Sequence, residues 1–383
     1  MMQNKPAARA INSAPSSQSS SRTTVLGLVP EHHHPSYVLR NGRRFLRDST
    51  IPYPLPCDLV ELHRQNLRTI LLTNVFGVPI CAPSLRTNPP KKVLEVICGT
   101  GLWTSACHDY FKKLGHTNIS FTGMDMAPLA PDLRDQGIDW RFVQHDLRDL
   151  PFPFVDEDFD LVFVKGLSQC VPPGASWQPL IDEFLRILRP EGVLEVWESD
   201  HIIRTIRTQP SPAPNLVEEE QWHADATGTF TISSQTPFTA AQNPFLREYS
   251  DWMQKALEKR RLSSCPCALV GPIFLQEMDE LKELRNRRIA VPLGQMTWER
   301  DSIQAGGKGL TADQAALRRT SLLAVVQMIE SLEPVLKEAA GKSQDEWDRW
   351  WSGMMHDLWG NTGTGVAGEC LEIGAWWGRK RAW

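Results

Sequence analysis

The sequence predicts an α/β fold, a mostly parallel sheet with helices on both faces, and three observations predict it. The hydrophobic run 93–96 passes through Ile97-Cys98-Gly99-Thr100-Gly101, a turn nearly free of side chains, straight into a helical run from Leu102. Strand-like and helix-like segments then alternate as far as about residue 200. Acidic residues stand at the ends of those strands, at Asp125 and Asp146. A strand that turns directly into a helix leaves backbone N–H groups free and lets a ligand approach the main chain closely. With acids at neighbouring strand ends, the pattern points to a nucleotide-type cofactor bound at the carboxyl ends of a parallel sheet.

The elements follow in order. Residues 118–125 read as a second strand with Asp125 at its tip, where an acid accepts hydrogen bonds from both hydroxyls of a ribose. Residues 139–145 read as a third strand ending at Asp146, placed to receive an adenine amino group. A fourth, 159–164, runs into Lys165 and Gly166. A helix over about 177–188 leads to the break Arg189-Pro190-Glu191-Gly192 and a fifth strand over 193–197. The dinucleotide fingerprint of dehydrogenases is a weaker reading, because it wants G-x-G-x-x-G. Here Thr104 stands where the third glycine belongs, and Glu95 precedes the turn.

This ladder resembles the class I S-adenosylmethionine-dependent methyltransferases. The family's first motif falls on Glu95, Ile97, Gly99 and Gly101, its ribose-binding acid on Asp125, and its adenine-side acid and apolar residue on Asp146 and Leu147. The strand before Lys165 matches the fourth motif, and Leu188-Arg189-Pro190-Glu191-Gly192 matches the turn before strand five. The resemblance covers residues 91–200. It implies a Rossmann-like, seven-stranded, mostly parallel sheet and S-adenosyl-L-methionine as cofactor, held by Glu95, Gly99, Gly101, Asp125, Met126, Asp146, Leu147 and Lys165. One departure matters: the family's first glycine is replaced by Ile97. Its branched side chain either narrows the cleft or points harmlessly into the sheet, as suits a strand end.

Upstream, Tyr37-Val38-Leu39-Arg40-Asn41-Gly42-Arg43-Arg44-Phe45 and Tyr53-Pro54-Leu55-Pro56-Cys57-Asp58 are similar to the N-terminal region of fungal methyltransferases of the LaeA and TAM-domain type. By that resemblance Tyr37 and Arg43 close over the cofactor, the guanidinium meeting its carboxylate in a bidentate pair. The other reading is a surface turn with ordinary basic residues. Asp58 is expected to cap the helix that follows, with Glu61 completing a capping box.

Composition bounds the rest. The chain has 383 residues, 41% hydrophobic and 22% charged, with a net charge of −4. These values describe a globular chain and argue against bulk nucleic-acid binding. No apolar run reaches the ~18 residues that span a bilayer, so no membrane partner is expected. Residues 1–34 read as a disordered tail, 35–90 as a segment covering the cofactor, 91–200 as the core, and 201–383 as a helical cap that also supplies the last strands. The eight cysteines show no paired extracellular spacing, so a reducing, cytoplasmic setting is expected. Cys265-Pro266-Cys267 lacks a second pair, and His32-His33-His34 lies at the edge of the tail, so no metal site is expected. The basic clusters 285–288 and 378–381 read as solvated faces, the second doubling as a weak nuclear signal.

Beyond the core, 208–243 reads as a loop. Helical patterns follow over 244–260, 273–288, 312–340 and 345–359, and residues 289–293 and 369–377 read as antiparallel strands completing the sheet. Eight of the 14 tryptophans follow residue 297. Trp347, Trp350 and Trp351 at helical spacing read as packing within the cap, though a tryptophan-rich cap also suits an apolar or polycyclic small-molecule acceptor. A hydroxyl or amide acceptor needs a base to take its proton. Glu198, Asp200 and His201 at the end of strand five and Lys165 at the end of strand four are the candidates, His201 preferred for its ordinary pKa of about 6.5, against the plain reading of a satisfied surface histidine. Three functions stay open: small-molecule methylation in fungal secondary metabolism, a regulatory methyltransferase acting through protein partners, and a binding protein with a degenerate cofactor site.

Overall fold

A computed structural model describes residues 37–382, apart from 49, 175, 214–215, 305, 307 and 361–364. The expected tail and its histidine triplet lie outside the described residues, which all fall within one compact unit. An antiparallel hairpin, β1 (Tyr37–Arg40) and β2 (Arg43–Leu46), comes first. Five parallel strands follow: β3 (Lys92–Val96), β4 (Ser120–Asp125), β5 (Asp139–Gln144), β6 (Phe159–Lys165) and β7 (Leu188–Ser199). Then come three short strands, β8 (Arg204–Thr205), β9 (Phe230–Ile232) and β10 (Thr239–Ala240), and two long ones, β11 (Leu281–Pro292) and β12 (Glu369–Lys380).

The seven long strands lie in the order β5-β4-β3-β6-β7-β12-β11, with β12 antiparallel to both its neighbours. The three short strands bring the sheet to ten, so the expected seven-stranded Rossmann-like sheet is present with an added edge. Its middle strands are buried on both faces, which is why they read as continuous apolar runs. On one face Trp103 stacks on Phe163 at 3.7 Å, and Phe163 meets Trp197 edge-on. Gly123 in β4 is needed for close approach: a Cβ there would stand 2.1 Å from the Trp140 ring.

Several expectations are corrected. Residues 281–288 are strand, not helix; only Val270–Gln276 is helical. β12 would otherwise expose a long unpaired edge, and pairing with β11 outweighs local helical preference. The basic cluster beside it is not a solvated face. Arg287 is buried and donates to the Phe76 carbonyl at 2.7 Å, and Arg288 pairs with Glu372. Lys380 caps a helix end, donating to the Leu185 and Leu188 carbonyls at 2.9 and 2.8 Å. The segment 208–243 contains a helix, Glu218–Thr227, and two short strands. The 312–340 helix breaks at Leu332, before Pro334. The Leu188–Gly192 turn is instead an irregularity inside β7, with Glu191 at φ 67°.

The helix Leu59–Phe76 lies over the carboxyl ends of the strands. Asp58 caps it, its Oδ1 accepting from the Glu61 N–H at 3.1 Å, and Gly77 ends it at φ 76°. The return half of the capping box is not formed, because Glu61 is turned inward to Arg64. The helical region after β7 packs around its own aromatic core, where Trp252, Trp347 and Trp350 lie against one another with centroids 4.7–6.2 Å apart.

Candidate active site

A cleft of about 1180 Å³, counting its open mouth, lies where the carboxyl ends of β3, β4 and β6 meet the helix Leu59–Phe76. Asp125, the last residue of β4, stands in its wall. Its Oδ1 accepts from the Ala127 N–H at 3.0 Å and its Oδ2 from the Gly99 N–H at 2.9 Å, so the carboxylate ties the β3 turn to β4. Burial pushes its pKa up, and the backbone donors oppose that shift. A carboxylate has about four lone-pair directions, so acceptor capacity remains for a ligand. Met126, Asp146 and Leu147 line the same cleft, as do Gly99 and Lys165. The Asp146 carboxylate is held by Arg148 at 2.7 Å.

The turn after β3 carries three residues in the left-handed region: Ile97 at φ 57°, Gly99 at 55° and Gly101 at 70°. Glycine takes that conformation freely; a β-branched residue there is an outlier. Ile97 is therefore not a strand residue pointing into the sheet. It lies outside β3, and its half-buried side chain lines the cleft.

Four expected cofactor residues are placed elsewhere. Glu95 is fully buried. Its Oε2 accepts from the Thr104 N–H and hydroxyl at 3.2 and 2.7 Å, and its Oε1 pairs with the Lys165 ammonium, so Lys165 rather than Glu95 reaches the cleft. Gly101 packs against Leu133, whose Cδ1 would be 3.0 Å from an added Cβ. Arg43 is spent on Asp58 through a bidentate pair at 2.6 and 2.9 Å and is not in the cleft wall. Tyr37 lies under the Arg44 guanidinium, 4.7 Å from its ring centroid, also outside the wall. The sequence reading missed the polar stripe Arg64, Gln65, Arg68 and Thr69 along the helix above. The signal was available, since those positions share one helical face.

Residues 93–192 match the family described as "Methyltransferase domain". The secondary metabolism regulator laeA of Aspergillus niger is 28% identical over 165 residues, 42% of this chain and 40% of that protein. The secondary metabolism regulator LAE1 of Pyricularia oryzae is 27% identical over 189 residues, 48% of this chain and 53% of that protein. Phthiotriol/phenolphthiotriol dimycocerosates methyltransferase 1 of Mycobacterium ulcerans is 32% identical over 144 residues, 36% of this chain and 44% of that protein. The chain thus spans about half the length of the curated relatives it matches. It carries a class I S-adenosylmethionine-dependent methyltransferase domain. The cofactor of this methyltransferase domain is S-adenosyl-L-methionine. The residues present fit it: a carboxylate with free acceptor capacity at the end of β4, an apolar floor, and a glycine, Gly99, in the cleft wall, where an added Cβ would meet Gln65 Oε1 at 3.0 Å.

Behind the cleft lies a second, inner cavity of about 500 Å³, which shares Arg64, Arg68 and Leu72 with it and is walled by residues outside 93–192. His201 and Asp200 line this inner cavity and not the cleft. Asp200 is buried, paired with Arg204, and accepts from the Cys267 N–H at 3.1 Å. His201 Nε2 lies 3.1 Å from Ser168 Oγ, and that hydroxyl donates to Glu198 at 2.7 Å. Since the hydroxyl proton goes to Glu198, Nε2 donates to Ser168 and Nδ1 keeps the lone pair. Burial, then the charges of Arg68 and Arg64, push the His201 pKa down to about 3. A base that weak does not suit proton removal near neutrality, which corrects the expectation of an ordinary histidine.

The same shift gives a stability prediction. The unfolded chain protonates His201 near pH 6.5, whereas the folded protein resists until about 3. The contribution is complete above pH 6.5 and lost as pH falls toward 3, at up to about 1.4 kcal/mol per pH unit. Urea unfolding of His201→Gln at pH 6, 5 and 4 should show a slope shallower than wild type by about one proton; an unchanged slope refutes a buried neutral histidine.

Proposed function

We propose that this protein is an S-adenosylmethionine-dependent methyltransferase that methylates an oxygen or nitrogen of an apolar small molecule in fungal secondary metabolism, within the cytoplasm. The single observation that carries this reading is the shared wall of two spaces: a cleft walled by Asp125 and a largely apolar inner cavity are both lined by Arg64, Arg68 and Leu72. Asp125 holds the ribose, Met126, Asp146 and Leu147 bound the adenine, and Lys165, steadied by Glu95, faces the methionine end. Bound there, the cofactor supplies a methyl group already attached to a good leaving group, so the protein's task is mainly to position the acceptor.

The acceptor is apolar because leucine, isoleucine, valine and methionine side chains dominate the inner wall. Trp347 and Trp350 pack within the helical region, as their spacing suggested, and among the described residues Trp197 is the tryptophan that borders the cleft. A regulatory role through protein partners is the second reading, favoured by the two fungal relatives named as regulators of secondary metabolism.

Isothermal titration with S-adenosylmethionine tests the cofactor site. Wild type is expected to bind at micromolar concentration and Asp125→Ala at least tenfold more weakly, since charge-assisted hydrogen bonds contribute about 1.5–3 kcal/mol each. Correctly folded wild type that fails to bind would overturn the enzyme reading and favour the degenerate-site alternative.

A further inference from the structure

Arg68 differs from the other cations lining these two spaces. Lys165 is paired with Glu95, Arg64 with Glu61 at 2.6 Å, and Arg148 with Asp146 at 2.7 Å. Arg68 has no carboxylate within ion-pair distance among the described residues. Its one hydrogen bond runs from Nη2 to Ser199 Oγ, at 3.0 Å. Of the carboxylates around it, Asp200 pairs with Arg204 and Glu61 with Arg64, while Glu198, hydrogen-bonded by the Ser168 N–H and hydroxyl, acts on Arg68 only from beyond ion-pair distance. A half-buried guanidinium with no carboxylate in contact and one hydrogen bond keeps N–H donors to offer, and an anionic ligand would meet them through charge-assisted hydrogen bonds.

Position decides which ligand. Arg68 stands over the ends of β6 and β7: Nη1 is 3.8 Å from where a Gly166 Cβ would be, and Ser199 is the last residue of β7. In the sheet, β6 and β7 lie on the opposite side of β3 from β4 and β5, whose ends carry Asp125 and lead to Asp146. Arg68 is therefore displaced from the nucleoside end toward the inner cavity, whose other walls include Leu72, Ile203, Val325 and Met328.

Resting on the methyltransferase reading above, we propose that the inner cavity is the acceptor pocket and that its occupant is an apolar molecule bearing an anionic oxygen, a carboxylate or enolate, paired with Arg68. Such an acceptor arrives already ionised and needs no strong base, which agrees with a cavity whose histidine is held neutral and weakly basic. The guanidinium fork meets a carboxylate through two parallel hydrogen bonds, so Lys is a poor substitute there.

The test uses 1-naphthoate and its neutral isostere 1-naphthamide as probes, titrated calorimetrically into the protein saturated with S-adenosylhomocysteine. Wild type is expected to bind naphthoate at least tenfold tighter than naphthamide. Arg68→Met should abolish that preference, and Arg68→Lys should restore part of it, each variant being titrated at a concentration of S-adenosylhomocysteine that saturates it. Equal affinities for the two probes in wild type overturn the proposal. So does an Arg68→Met variant that loses S-adenosylhomocysteine affinity but keeps the naphthoate preference, which would assign the guanidinium to the cofactor's own carboxylate. If wild type binds no S-adenosylhomocysteine, the methyltransferase reading fails separately, and the probe preference of the cofactor-free protein still decides whether an anion pocket exists.

Discussion

Glu61→Ala is expected to destabilise the protein by about 3–5 kcal/mol, because it leaves a buried guanidinium without its partner. Glu61 is fully buried and Arg64 is 2% exposed; they share a bidentate pair at 2.8 and 2.6 Å, and Gln65 donates to the same carboxylate at 3.2 Å. The pair sits on the cavity side of the helix Leu59–Phe76, so the loss falls on the wall between cleft and inner cavity. Denaturant unfolding measures it, and Glu61→Ala/Arg64→Met gives the control. Removing both charges should recover most of the loss, since a well-packed apolar pair often equals a buried ion pair. A single variant within 1 kcal/mol of wild type would mean that Arg64 finds water or another anion.

Ile97→Gly is expected to make the protein more stable and bind the cofactor more tightly. A β-branched residue at φ 57° stores roughly 1–3 kcal/mol of backbone strain, which glycine removes. Against it stand the extra chain entropy of glycine, about 0.5–1 kcal/mol, and lost contacts of a half-buried side chain. The net expectation is a modest rise in thermal midpoint, together with at least a tenfold tighter complex with S-adenosylhomocysteine, because the side chain leaves the cleft wall. Ile97→Ala separates the two effects: it clears the bulk but keeps most of the strain, so affinity should rise without the gain in stability. Unchanged or weaker affinity in both variants would show that Ile97 shapes the site rather than obstructing it.

What was legible in the sequence followed from short-range signals. The turn from 97 to 101, the strand ending at Asp125 and the pairing of residues 289–293 with 369–377 each rest on neighbouring side chains and on period, and each is present. The failures have a common form. Residues 281–288 carry a pattern that serves helix or strand, and only β12 alongside decides. Arg43 and His201 were given chemistry suited to their free side chains, whereas Asp58 occupies one and Arg68, Arg64 and burial suppress the other.

The sequence by itself determined the class of fold, the glycine turn after β3 and the acid at the end of β4. Local backbone preference and side-chain alternation are properties of a few adjacent residues. Tertiary structure alone decided which charges are free. Whether a guanidinium or a carboxylate is available depends on partners far away in the chain, such as Ser199 for Arg68, Asp200 and Glu372 for Arg204, and Lys165 for Glu95. Burial sets the cost of leaving any of them unpaired, and burial exists only once the sheet, the helix above it and the helical region have closed around the two cavities.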